Sequence, residues 1–475
     1  MDDTTARRSR VLAGWVEPVD AFLTCFRAEA EVFWLDSGPG ATSGHSVLGI
    51  ASRTIVADVA SRTIRYRRRA GDMSSERTEA GSIFDVLRPP TSDRTSGLPG
   101  ALGGGWVGWF GYEAGASHVG VPVAPTTTPD AALLRADDVV VFDHAMRTVT
   151  LSSADEAWLA SMEADLSPLF TAEDTPPGDT RADELREPRA PALGGKVVAR
   201  WGDRQYRALV EACQERIRQG DAYQLCLTNE LSVEGAHDDV DTYLRLRALS
   251  PAHHGGFIRI DGIALLSSSP EQFLDVTADG IVTTKPIKGT RPRGRSSEQD
   301  AALREELRAS DKEQAENLMI VDLMRNDLAR VCEVGSVTVT GLHLVESYPQ
   351  VHQLVSTVRG TLRAGLGAAD AIEACFPAGS MTGAPKRSAM QILHGLEQGP
   401  RGVYAGTFGA LWDDGAADLA MVIRSIVLDG ERATIGTGGG ITALSVPEEE
   451  LLETRTKAGA LLAALGIEGD TPESR

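Results

Sequence analysis

"FLDVTADGIVTTKPIKGTRPRG", Phe273 to Gly294, contains two short apolar runs joined by Asp279-Gly280. Asp-Gly between β-branched residues is the strongest short hairpin signal, so the stretch predicts an antiparallel pair. A two-residue turn at Asp279-Gly280 would put Glu271, from the preceding "SSSPEQF", directly across from Lys288. Opposed residues in such a pair have Cβ atoms roughly 4.5–5.5 Å apart. Pro270 and Pro286 flank the pairing and would fray it, since proline donates nothing to a ladder. An acid and an amine should nevertheless converge at one sheet edge. Two meanings stay open: a cross-strand ion pair of little energetic value, or a working acid beside a nucleophile. The lysine itself is conspicuous. Only six of the 47 basic residues are lysines, the first at Lys196, and a lysine amine, unlike a guanidinium, can give up its proton near neutrality.

Strand and helix patterns alternate around this hairpin. "WGDRQYRALVEACQERIRQG" predicts a helix capped by Asp203 and stopped by Gly220. "YQLCLT" reads as a strand and "DKEQAENLMIVDLMRNDLARV" as a long helix. The segment from Gly402 to Gly440 reads as three strands with turns at Asp413–Gly415 and Asp429-Gly430, and "PEEELLETRTKAGALLAALG" as a closing helix. Sheets with helices packed outside them predict a layered α/β (α+β) fold. Residues 171–195, rich in proline, glycine and charge, read as a linker. That divides the chain into 1–170, the linker, a chemical half over 196–468 and a tail at 469–475. In the first part "GGGWVGWFGYE" contains a formal GxGxxG. Without a strand before it or a helix after it, it reads as close strand packing and not as a dinucleotide site.

Composition narrows the function. A net charge of −20 argues against nucleic acid or an anionic membrane as partner. The five cysteines lack CxxC spacing, which predicts free thiols and a cytoplasmic protein. "MDDTTARRSRVLAGW" has no apolar signal core, and no stretch reaches membrane-spanning length.

Two acidic pairs stand three residues apart on predicted helices, Glu313 with Glu316 and Glu450 with Glu453, each pair on one face. Each could be an acid-rich first turn. Together they could instead bring carboxylates to one Mg²⁺, which takes one or two protein carboxylates and completes its octahedron with water and substrate. Glycine-rich "GTRPRG", "SMTGAPK" and "GTGGGIT" offer backbone amides. Pro385 suits the first turn of a helix, and Gly438 to Gly440 could form an amide nest for a carboxylate. If Asp413–Gly415 is a three-residue turn, Tyr404 and Arg424 lie opposite each other, a phenol and a guanidinium fork suited to a carboxylate. Spacing alone thus reaches a metal-assisted site for a small carboxylate.

"PIKGTRPRG", "ENLMIVDLMRNDLARV", "SMTGAPKRSAMQIL", "RGVYAGTFG" and "GTGGGIT…PEEELLETRTKAGAL" together resemble the chorismate-utilising enzymes: anthranilate, aminodeoxychorismate, isochorismate and salicylate synthases. The likeness is dense from Trp201 to Leu465 and extends through "FWLDSG" and "GGWVGWFGYE". It implies a fold of two large, mostly antiparallel sheets flanked by helices, like that of anthranilate synthase component I. Gln224 stands where water-adding members carry a lysine base, which implies an ammonia-using branch. Lys288 in Pro-Ile-Lys-Gly-Thr, where anthranilate synthases usually read alanine, implies formation of 4-amino-4-deoxychorismate, the precursor of p-aminobenzoate and folate.

By the same resemblance Mg²⁺ would be held by Glu316 and Glu453, with Glu313 and Glu450 holding its water. Lys288 would be the nucleophile and Glu271 the general acid. Gln224, Thr290, His352, Tyr404, Arg424, Gly438, Gly439 and Lys457 would contact chorismate. Ammonia would come from a separate glutamine amidotransferase subunit, since nothing here resembles that domain's cysteine motif. The family's tryptophan pocket would be represented by Ser37, Pro251 and Ala252, although "GHSVLG" lacks the arginine of the family's Ser-Arg-Phe segment.

Overall fold

The computed structural model describes residues 7–70, 73–88, 98–170, 195–348, 351–467 and 473–474. The expected linker (171–195), apart from Gly195, and nearly all of the expected tail (469–475) lie outside the described residues.

Two large sheets, of 13 and 12 strands, pack face to face. The first takes, among others, Val32–Asp36, His254–Ile260, Ile263–Ser269, Ser425–Asp429, Arg432–Ile441 and Gln224–Glu234, in that order across the sheet. The second runs from Ile287–Pro292 through Val351–Thr361, Ile281–Thr284, Gln272–Val276, Ala417–Met421, Thr407–Trp412, Gly105–Phe110 and Ala131–Arg135 to the three strands Arg53–Asp58, Thr63–Ala70 and Met73–Ala80. Stretches before and after 171–195 contribute to both sheets. Pairing is antiparallel throughout, apart from one short parallel contact at Val198–Ala199.

Strand alternation explains the layering. Val107 and Trp109 point inward with Ile258, Leu265 and Phe408 to form the core between the sheets, while their neighbours Phe110, Phe257 and Leu266 point outward. Outside the first sheet Phe257, Leu266 and Ile435 meet Leu461 of the helix Pro447–Ala464. Outside the second, Leu274, Val282 and Leu419 meet Ile320 and Met324 of the helix Asp311–Ala329. Both faces of each sheet are therefore buried, each large side chain contributing roughly 1.5–3 kcal/mol. The GxGxxG glycines pack as expected: a Cβ on Gly108 would collide with the carbonyl of Ala132 in the neighbouring strand. Contrary to expectation a helix, Tyr112–Val119, does follow that strand.

Three local expectations are corrected. The Asp279-Gly280 hairpin closes on a three-residue loop, with Thr277 N donating to Ile281 O (2.9 Å) and Gly280 N to Thr277 O (2.9 Å). Gly280 occupies the left-handed position at φ +83°, which a three-residue loop requires. The register is one residue from the expected one, pairing Asp275 with Thr283, and Lys288 lies across from Leu354, not Glu271. Gly438 to Gly440 form no nest, because the whole of Arg432–Ile441 is extended and paired with Gln224–Glu234. Gly202, not Asp203, precedes the helix Asp203–Arg218 as its cap.

Candidate active site

Lys288 sits at a strand irregularity, where pairing with Val351–Thr361 skips one residue between Lys288 and Thr290. A Cβ on Gly440 would collide with the Gln224 amide nitrogen and stand 3.6 Å from Lys288 Nζ, so the amine reaches the bare backbone of the Arg432–Ile441 strand beside Gln224. Among the described residues Lys288 Nζ makes no hydrogen bond or ion pair.

Glu271, despite the corrected register, faces the same space. It ends the strand approach between the two sheets, its carbonyl accepting from Met421 N (3.0 Å). The side chain is buried, and burial pushes its carboxyl up to about 6, against the opposing pull of Lys288 and the Ser380 hydroxyl. A carboxylic acid near 6 can hold a proton for delivery close to neutral pH.

The two acidic pairs act on each other through space, Glu450 repelling Glu316. Burial raises Glu316, with Glu313 and Glu450 adding repulsion, while Lys288 and Lys312 oppose it. Glu450 is raised by burial against the hydroxyl hydrogen bond from Ser445 (2.7 Å), and Glu453 adds to the rise. Burial would raise Glu453 too, but Lys457, Lys288 and Lys312 outweigh it and hold that carboxyl low. A Cβ on Gly439 would stand 2.8 Å from Glu450 Oε2 and 3.9 Å from Glu453 Oε1, and one on Gly289 2.9 Å from Glu313 Cδ. Lys457 bonds Glu453 (2.6 Å) and the Gly438 carbonyl (2.7 Å). No group of three acid, histidine or cysteine side chains is close enough to form a complete metal cage among the described residues. Mg²⁺ needs fewer, and these mutually repelling hard oxygen donors on two helices fit it.

The Asp413–Gly415 turn forms as expected, pairing Thr407 with Met421, and in line with it Tyr404 and Arg424 converge. Desolvation raises the Tyr404 phenol and lowers the Arg424 guanidinium, and the two groups interact. A Cβ on Gly436 would fall inside the Tyr404 ring, so glycine there lets the ring lie on the strand.

Not every expected residue joins the cluster. His352 is buried, with Nδ1 bonded to Ser347 Oγ (2.8 Å) and Nε2 to Asp300 Oδ1 (3.0 Å), so both ring nitrogens serve a separate network. Thr290 is exposed beyond the irregularity. Ser37, Pro251 and Ala252 gather elsewhere, around a cavity of about 880 Å³ that Lys285, Tyr348 and Phe408 also line. Lys312 was missed by sequence reasoning; the scarcity of lysine was the signal that could have found it.

The sequence of residues 31–463 matches the chorismate binding enzyme family. An aminodeoxychorismate synthase of Streptomyces pristinaespiralis is 43% identical over 95% of this chain, which spans 64% of that relative's length. An anthranilate synthase component 1 of Arthrobacter globiformis is 33% identical over 98% of this chain and 92% of its own. Among solved structures, anthranilate synthase component I of Streptococcus pneumoniae superposes with a TM-score of 0.71 at 28% identity, covering 89% of this chain and 93% of its own. Matched over its length by family, relatives and fold, the chain belongs to the chorismate-binding enzymes.

Proposed function

We propose that the chain acts as component I of an aminodeoxychorismate synthase, turning chorismate and ammonia into 4-amino-4-deoxychorismate. The observation that carries this reading is Lys288, with its nitrogen unbonded, on the same floor as Gln224 and facing the raised carboxyl of Glu271. Relatives bearing the same name, 43% and 42% identical, support it.

Chorismate would lie over Gly438–Gly440 with Tyr404 and Arg424 at one carboxylate. Glu316 and Glu453 would hold Mg²⁺, with Glu313 and Glu450 on its water. The ion would neutralise the ring carboxylate and draw electron density from the ring. The Lys288 lone pair would bond to ring C2, the two ring double bonds shift, and the C4–O bond break. Glu271 would give its proton to the departing hydroxyl, which leaves as water. Ammonia would then bond to C4 as the double bonds shift back and the C2–N bond to Lys288 breaks. One hard substitution becomes two allylic ones. Gln224, unable to act as a base, leaves water inactive. The ammonia would come from a separate glutamine amidotransferase, and the setting would be the cytoplasm; no helix among the described residues is long and apolar enough to cross a membrane.

Incubation with chorismate, an ammonium salt and Mg²⁺, followed by chromatography with and without a lyase, tests the reaction. Formation of 4-amino-4-deoxychorismate is expected, and anthranilate fluorescence without lyase would reject it. The family resemblance makes the Ser37–Pro251–Ala252 cavity a candidate tryptophan pocket, although "GHSVLG" lacks the arginine of the family's Ser-Arg-Phe segment. Calorimetric titration tests this, and absence of binding heat at millimolar tryptophan rejects it.

A further inference from the structure

The "GGGWVGWFGYE" segment ends in a buried acid that the mechanism does not use. Glu113 lies in the first turn of the helix Tyr112–Val119, is 4% exposed and makes no ion pair among the described residues. Both its oxygens accept from main-chain amides across the fold: Arg401 N to Oε1 (2.8 Å) and Gly402 N to Oε2 (2.9 Å). Tyr112 N returns a bond to Gly402 O (2.9 Å). The gripped segment is an irregular turn, with Gly402 at φ +64° and Ala405 at φ +62°, so its amides have no helix or ladder to satisfy them.

That turn carries Tyr404. Its first residue, Arg401, is a buried hub: the guanidinium stands over the Tyr112 ring (4.3 Å) and bonds Glu397 (2.8 and 2.9 Å), Cys226 O (2.8 Å) and Met381 O (2.6 Å). Glu397 also accepts from Thr228 N (2.9 Å), on the strand that bears Gln224. Met381 adjoins Ser380, the hydroxyl partner of Glu271. A buried carboxylate is costly unless hydrogen bonds replace the water it loses. Here both are spent on fixing one turn, and a two-oxygen acceptor fixes position and direction together.

We propose that Glu113 is a positioning residue for the substrate site, clamping the Arg401–Tyr404 turn from the N-terminal part of the chain so that the Tyr404 hydroxyl meets its ligand. This rests on the reading of that site as a chorismate site. Glu113→Gln keeps size but turns one acceptor into an NH₂ facing a backbone N–H, so the turn must shift. Tyr404→Phe removes the hydroxyl whose placement is at stake.

The test is a double-mutant cycle on chorismate affinity, measured by calorimetry with Mg²⁺ present for the natural chain, Glu113→Gln, Tyr404→Phe and the double variant. Each single change should weaken binding roughly tenfold, the scale of a lost hydrogen bond to a charged group. The double variant should bind no more weakly than Tyr404→Phe alone, because misplacing a ring without its hydroxyl costs nothing further. Multiplying losses, or unaltered binding by Glu113→Gln, would overturn the proposal while leaving the chorismate reading standing. A natural chain that binds no chorismate would overturn both. If Glu113→Gln does not fold, Glu113→Asp, which keeps the charge but withdraws it by one methylene, takes its place in the same cycle with the same expectation.

Discussion

Lys288 and Lys386 face carboxylates in two neighbouring regions, and the molecule treats them in opposite ways. Lys386, at the start of the helix Lys386–Glu397, is buried; its Nζ donates to Asp327 Oδ2 (2.6 Å) and to the carbonyl of Cys375 (2.8 Å). Arg330 binds the other oxygen of Asp327 (3.0 Å). Every charge there has a partner at hydrogen-bond distance. Around Lys288 the acids Glu271, Glu316 and Glu453 are felt through space, yet none bonds the amine. A saturated ion pair has no valence left for a ligand, whereas unspent donors and acceptors are what a ligand can complete. Two lysines in "P-I-K-G" and "A-P-K-R" look alike in sequence, and their surroundings alone make one a strut and leave the amine of the other unbonded, as the proposed nucleophile requires.

The contrast is sharpest if each lysine is removed. Lys288→Ala should lower turnover of chorismate by roughly a thousandfold or more, as expected for loss of a nucleophile, while urea unfolding shifts by about 1 kcal/mol or less. Intact-mass spectra with chorismate and Mg²⁺ should show a substrate-derived adduct on the natural chain and none on the variant. Spectra without an adduct on either would falsify the covalent role. Lys386→Met should do the reverse to stability, costing about 2–3 kcal/mol in urea unfolding, below the roughly 3–5 of a fully uncompensated buried charge, because Asp327 keeps Arg330 as its one remaining partner. A loss below about 1 kcal/mol would erase the distinction between strut and proposed nucleophile.

A smaller effect separates Glu271 from an ordinary buried acid. Its folded value of about 6 lies above the ordinary 4.5. Its contribution to stability is therefore full below about 4.5 and lost as pH rises through about 6. Glu271→Gln should stabilise the fold above pH 6, by about 2 kcal/mol at most for a shift of this size, and by nothing below pH 4.5. Turnover of the natural chain should fall as pH rises through about 6 if the protonated acid is needed. Equal stability of the two proteins at pH 4.5 and at pH 7.5 would refute the raised value.

The two hairpins show how far the sequence could be read. Both are three-residue loops with glycine last, Ala278-Asp279-Gly280 and Asp413-Asp414-Gly415, with φ +83° and +94° at the glycines. The second was readable because Asp413 and Asp414 both belong in a loop. In the first, Ala278 passed for a strand residue and the register slipped by one. The long helices Asp311–Ala329 and Pro447–Ala464 were legible from their length and first-turn acids, although their apolar residues hardly favour one face. Sheet order was not, because partners such as Gly105–Phe110 and Thr407–Trp412 lie far apart in the chain and nothing local links them. Glu271 reached the site by a route the sequence did not predict, at the junction of the two sheets and not across a hairpin. The binding of His352 to Ser347 and Asp300 was equally hidden, since hydrogen-bond partners of a lone histidine leave no spacing signal.

That distant pairing has a consequence at the ribosome. The strand Gly105–Phe110 emerges roughly three hundred residues before the strand that covers its edge. Its other edge can pair early with Ala131–Arg135, but at about 5–20 residues per second this edge waits roughly 15–60 s with its amides and carbonyls open. Nascent chains of this protein should thus be clients of holding chaperones, and slowing translation before Thr407 should lower soluble yield.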